Sequence, residues 1–146
     1  MKLYTIGFTK KSAAQFFDLL SSSGVQRLVD VRLHPEGQLA GFAKREDLAF
    51  FLSRLMGCDY AHLPLLAPTA EILSDYRQDH DWARYTSRFE ALMDERSVPG
   101  CLDRTLFFDK PCCLLCSEAA PEQCHRRLVA ERLTRAWPGL EVVHLV

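Results

Sequence analysis

Long apolar runs are missing from this sequence: none approaches the roughly 20 residues that a membrane-spanning helix needs, and Met1-Lys2-Leu3-Tyr4 leads into a strand rather than a signal peptide. An excess of either charge is missing too. Eighteen basic side chains stand against nineteen acidic ones, a formal net charge of -1, so no global field draws the protein to nucleic acid or to an anionic membrane. There is no internal repeat, no low-complexity tract and no linker that would mark a domain boundary. These absences leave an ordinary cytoplasmic globular protein with no membrane partner as the expectation.

What is present fits that expectation. A length of 146 residues suits a single domain spanning the whole chain, and 48% hydrophobic with 25% charged residues is enough to bury one core without staples. Six cysteines in such a chain read as reduced thiols rather than a disulfide framework. Cys58, Cys112 and Cys113 stand in apolar, strand-like contexts and are expected as small core residues.

The order of elements alternates. Leu3-Tyr4-Thr5-Ile6 ends at Gly7, and Ser12 with Gln15 three residues later has the spacing of a capping box. Phe16, Leu19 and Leu20 form the buried stripe of the helix that follows, Gly24 closes it, and Val25 to Val31 reads as a second strand, a βαβ unit with parallel strands. A loop rich in Gly, Pro and His after Arg32 leads to a helix with Leu48, Phe51, Leu52, Leu55 and Met56 at helical spacing, closed by Gly57. Cys58 to Leu63 reads as a third strand. Helical segments follow near Glu71 to Tyr76 and over Trp82 to Arg96, the aromatic stripe of the latter being expected in the core. The continuous run Pro111 to Cys116 predicts a fully buried central strand. A helix from Pro121 to about Trp137 and a strand from Glu141 to Leu145 complete the chain. The fold class is therefore α/β: a three-layer domain with a mostly parallel sheet flanked by helices on both faces.

In such sheets ligands bind beyond the carboxyl ends of the strands. Those ends carry Thr9, then Asp30 and Arg32 with His34, then His62, then Cys116-Ser117-Glu118, then His144. Period-two alternation puts Asp30 and Arg32 on one side of their strand, to pair with each other or to face one ligand. With Pro121 as first helical residue, Cys116 and Cys124 would sit at a helix N-terminus beside His125, Arg126 and Arg127, a setting that favours an anion and the thiolate.

Several chemical readings follow. Cys116 or Cys124 is a candidate nucleophile, with His125 or His34 as base, Glu118 as orienter and Asp30 as a further carboxylate. Arg32, His34, Thr9, Ser117, Cys124 and Arg126 are candidate ligand contacts. Zinc ligation by Cys116, Glu118, Cys124 and His125 is the weaker alternative, because successive helical residues diverge by about 100° and the spacing is not a standard zinc pattern; no metal is expected, and no cofactor is named. In the bland alternative, Cys116 ends a buried strand, Cys124 packs beneath it and Glu118 pairs with Arg126 or caps the helix. The nine residues between Cys116 and Arg126 exclude a phosphatase loop. The leading expectation is an enzyme, hydrolase or transferase, acting on a small phosphate-bearing or nucleotide-like ligand. The rival is a non-catalytic binding or regulatory module, with nucleic acid as one candidate partner through a basic face of Arg126, Arg127, Arg132 and Arg135.

Nearly end to end the chain resembles the family called domain of unknown function 488. The resemblance is carried by Thr5-Ile6-Gly7, Asp30-Val31-Arg32, Tyr60, and above all Leu115-Cys116-Ser117-Glu118 followed by Cys124-His125-Arg126. It implies a small bacterial or archaeal cytosolic α/β protein and supports the place of the site without naming a reaction. The chain departs from the family at Phe8-Thr9 and at Leu65-Leu66-Ala67.

Overall fold

The computed structural model describes residues 1–36 and 41–146; part of the loop expected after Arg32 lies outside them. The chain runs β1 (Lys2–Gly7), α1 (Ala13–Ser23), β2 (Arg27–Asp30), α2 (Arg45–Met56), β3 (Asp59–His62), α3 (Ala70–Asp79), α4 (Trp82–Glu95), α5 (Thr105–Phe108), β4 (Cys112–Cys116), α6 (His125–Ala136) and β5 (Glu141–Leu145). The five strands form one all-parallel sheet in the order β3-β2-β4-β1-β5. Parallel pairing was the expectation; the insertion of β4 between β1 and β2 is new, since periodicity carries no information about which strands are neighbours.

Local signals explain the helix boundaries. The Ser12 side chain accepts from the Gln15 N–H while the Gln15 side chain accepts from the Ser12 N–H, so both halves of the capping box form. Gly24 and Gly57 end α1 and α2 in the left-handed region, at φ 79° and φ 60°, where a Cβ would be strained.

Alternation along the strands divides the core into two layers. Leu28, Cys113 and Leu115 face α1 and α2, meeting Phe16, Leu20, Leu48 and Leu52. Val29, Cys112, Leu114 and Cys116 face the other helices, meeting Ile72, Phe89, Leu128 and Leu133. All five β4 residues are buried, as expected of a central parallel strand covered on both faces. Cys58, Cys112 and Cys113 are core residues, as anticipated. Leu55 is a correction: it is 64% exposed, because the buried stripe of α2 follows Leu48 and Leu52 and leaves Leu55 on its outer flank. Among the described residues no helix is long and apolar enough to cross a membrane.

α3 and α4 form a hairpin. Thr69 caps α3 on the Ile72 N–H and Asp81 caps α4 on the Arg84 N–H. The Arg88 and Arg84 side chains bind Asp75 and Asp79 across the turn. Only one layer of this hairpin is core. Tyr85, Phe89 and Met93 are buried, whereas Tyr76 and Trp82 are part-exposed at the end nearest the carboxyl edge of the sheet.

Candidate functional site

The carboxyl edge of β4 is built around a single turn, Cys116-Ser117-Glu118. Gly7, at the end of the adjacent β1, lets this turn come close: a Cβ there would lie 1.6 Å from the Glu118 carbonyl oxygen, so only glycine fits. The turn is pinned from behind. Thr9 donates its backbone N–H to the Ser117 carbonyl at 3.0 Å and its hydroxyl to the same oxygen at 2.5 Å. Arg126 donates Nη1 to the Glu118 carbonyl at 2.5 Å and Nε to the Thr5 hydroxyl at 3.3 Å. Arg126 is fully buried. Thr9 and Arg126 were expected as ligand contacts; here they hold the turn and neither lines the cleft in front of it. Glu118 meets Arg126 through its backbone, leaving its exposed carboxylate in the cleft.

The helix after the turn begins later than its sequence suggests. Pro121 to Cys124 close a turn through the Cys124 N–H and the Pro121 carbonyl at 3.2 Å. Cys124 then adopts an extended conformation, φ -133° and ψ 137°, as N-cap of α6. Pro121 is therefore not the first helical residue; His125 is. The physical consequence is that Cys124 and His125 are not successive helical positions. Their side chains converge, and with Cys116 they bring two sulfurs and one imidazole nitrogen within 4.8 Å of one another, all three residues buried. The divergence that argued against a shared metal does not apply to them. Glu118 stands outside this trio.

The Cys116 Sγ lies 3.6 Å from His125 Nδ1, and His125 Nε2 lies 2.7 Å from the Val31 carbonyl. A carbonyl only accepts, so Nε2 carries a proton and Nδ1 turns to the sulfur. Phe89 packs against the imidazole at a centroid distance of 5.6 Å. The Cys116 thiol is held well below its usual range by hydrogen bonding from Cys124 and, against the effect of its burial, by the charge of His125. Burial and the neighbouring Cys116 push the Cys124 thiol well up. Burial pulls His125 down, but the sulfur of Cys116 outweighs it and the net direction is up.

Asp30 and Arg32 form a buried pair. The Asp30 carboxylate accepts from the Arg32 N–H at 3.1 Å, Arg32 Nε at 2.9 Å, Arg32 Nη2 at 2.7 Å and the Tyr60 hydroxyl at 2.5 Å. So engaged, Asp30 is buried, does not line the cleft and anchors Arg32 from behind it. It turns Arg32 toward the cleft, and Phe8 lies under the guanidinium at 5.4 Å. Arg32 Nη1 is buried without a hydrogen-bond partner among the described residues. His62 Nε2 donates to the Arg32 carbonyl at 2.8 Å, and His144 Nδ1 meets the Thr5 hydroxyl at 2.6 Å; neither lines the cleft.

The cleft measures about 420 Å³, within the range of small-molecule sites. Its floor is Cys116, Ser117, Glu118, Cys124 and His125, and Arg32 and His34 form one side. Of the residues expected at the site, these seven come together, and Asp30, Thr9 and Arg126 stand behind them. The opposite wall, from the α3–α4 hairpin, was not anticipated: Tyr76, Arg77, His80, Trp82 and Tyr85. Trp82 stacks on Tyr85 at 5.1 Å and 14°, and the Tyr76 hydroxyl donates to Gln123 Oε1 at 3.1 Å across the cleft. A signal for this wall existed in the sequence, because Tyr76, His80 and Trp82 cluster around a helix-to-helix junction, where polar-tipped rings stay half wet.

Fold and site thus define a doubly covered parallel α/β domain with a Cys/His-floored cleft at the carboxyl edge of its sheet. The chain belongs to the DUF488 family, described as a domain of unknown function, whose model matches residues 12–133. No curated protein and no solved structure matches the chain.

Proposed function

We propose that this protein is an enzyme, a hydrolase or transferase, acting on a small phosphate-bearing or nucleotide-like ligand held in the cleft against the Cys116–His125 floor. The observation that carries the reading is Arg32: it lines the cleft, and its Nη1, like Arg126 Nη2 behind the turn, is buried without a partner among the described residues. A guanidinium N–H left unpaired in the interior is costly, and an anionic oxygen entering the cleft would satisfy it. Arg77 on the facing wall supplies a second cation, and the Trp82 and Tyr76 rings line the same wall as apolar surface for a flat base.

The nucleic-acid alternative draws less support. Arg126 is buried, Arg132 binds Glu90, Asp94 and the Val98 carbonyl, Arg135 neighbours Glu90, and Arg127 neighbours Glu131. A face whose arginines are in part buried or paired with carboxylates releases fewer counterions from a polyanion.

A thermal-shift panel of nucleoside mono- and triphosphates with inorganic phosphate tests the reading. At a hundredfold excess over Kd a true ligand adds about 2.7 kcal/mol, or roughly 5–10 °C for a chain of this size. Trp82→Ala should weaken the response to nucleotides more than the response to phosphate. No stabilisation by any member of the panel at millimolar concentration contradicts the proposal.

A further inference from the structure

We propose that Cys116, Cys124 and His125 form a mononuclear zinc site whose fourth corner opens into the cleft. The inference does not rest on the nucleotide reading, because metal binding is measured on the protein alone.

The contrast among the cysteines is the first argument. The thiols of Cys58, Cys112 and Cys113 donate to backbone carbonyls of Asp59, Leu106 and Leu114, the ordinary way a buried S–H is satisfied. Cys116 instead turns to His125, and Cys124, the N-cap of the helix that His125 begins, converges on them. The geometry is the second. Bond lengths of about 2.3 Å for Zn–S and about 2.0–2.1 Å for Zn–N give a tetrahedral S···N edge of about 3.5 Å; the observed Cys116 Sγ to His125 Nδ1 separation is 3.6 Å. The third argument is the shell behind the imidazole. The Val31 carbonyl accepts a hydrogen bond from Nε2–H at 2.7 Å, which fixes the tautomer that leaves the Nδ1 lone pair free, the usual support of a metal-bound histidine.

Two sulfurs and an imidazole, with no carboxylate in the trio, favour zinc over the hard cations that take oxygen ligands. All three residues line the cleft, so three protein ligands on one side leave a corner for water or for an atom of a bound molecule. Sites of this type are the reactive ones, whereas structural zinc sites close with a fourth protein ligand.

The full chain, purified without chelator or a histidine tag and incubated with zinc, should carry about one ion per chain by elemental analysis. Titration with Co²⁺ should give a thiolate-to-cobalt charge-transfer band in the near ultraviolet and the visible bands of a tetrahedral ion. Cys124→Ser and His125→Gln should lose both the zinc and the band, while Cys101→Ser, at an exposed thiol, should keep them. If the ligand variants fail to fold by circular dichroism, the cobalt spectrum of the unaltered protein decides alone. A folded protein that takes up no zinc and shows no charge-transfer band overturns the proposal, as does loss of the band in Cys101→Ser. Nucleotide stabilisation without metal uptake would sink the zinc site and spare the ligand reading; metal uptake without any nucleotide response would do the reverse.

Discussion

Replacing Asp30 by asparagine removes one charge and almost no volume at the most heavily bonded side chain of the site. In the native protein the carboxylate accepts three bonds from Arg32 and one from Tyr60 with no exposure of its own, and Arg32 is only 3% exposed. An amide keeps one acceptor oxygen, but its NH₂ faces the donors Arg32 Nη2 or Tyr60 and cannot bond a guanidinium. Arg32 is left a buried cation without a counterion, and breaking such a pair by one partner costs about 3–5 kcal/mol. Because the amide keeps part of the network, the lower end applies, about 3 kcal/mol. At about 2–4 °C per kcal/mol for a domain near this size, the melting temperature should fall by roughly 6–12 °C. Urea denaturation followed by circular dichroism, with an unchanged slope, gives the same free energy independently. The double variant Asp30→Leu/Arg32→Met should lose less than Asp30→Asn alone, since replacing both members of a buried pair is far cheaper than orphaning one. A single variant within about 0.5 kcal/mol of the native protein would refute the account of Asp30 as anchor.

Other outcomes follow from the same geometry. Gly7→Ala should displace the Cys116–Glu118 turn, because its Cβ meets a backbone oxygen that cannot swing aside; overpacking of this kind costs about 1–3 kcal/mol or more, and chemical-shift changes at Ser117 and Glu118 would reveal the displacement. Arg126→Met should destabilise and loosen the same turn by freeing the Glu118 carbonyl, seen as faster amide exchange at Thr9, whose N–H bonds Ser117. His144 is held below its ordinary value by burial and by the charge of Arg126. A histidine whose folded pKa is depressed takes up its proton more readily when unfolded, so its effect is absent above about pH 6.5 and stability is lost as pH falls below that value. His144→Gln should flatten this part of the stability profile measured by denaturation between mildly acidic and neutral pH.

Much of the architecture was legible because it depends on local rules. The Ser12–Gln15 box, the left-handed glycines at positions 24 and 57 and the unbroken apolar run of β4 each specify their own conformation without tertiary help. Strand order was not legible: β4 lies between β1 and β2, a choice made by packing of helices on the two faces. The start of α6 was misplaced because Pro121 suits a first helical turn as well as the tight turn that it in fact opens, and only tertiary contact distinguishes them. That displacement by one turn is what brings Cys124 to Cys116. The sequence marked Arg126 as a charge for a ligand, yet it is a buried clamp, since composition does not reveal whether a guanidinium meets a ligand or backbone carbonyls. The aromatic wall was missed for a related reason: Trp82 shares the helical period of the core residues Tyr85 and Phe89, and Tyr76 that of Ile72, so spacing alone does not distinguish the rings that line the cleft from those of the core.

The central claim, that the cleft between the β4 turn and the α3–α4 hairpin binds a nucleotide-like anion, is tested most directly by following backbone amide resonances during titration with a nucleoside monophosphate. The account predicts saturable shifts at residues from both walls, Arg32, Ser117 and Glu118 on one side and Arg77 and Trp82 on the other, with little change along the outer face of α6. Shifts confined to Arg127, Arg132 and Arg135, or none that saturate, would contradict it.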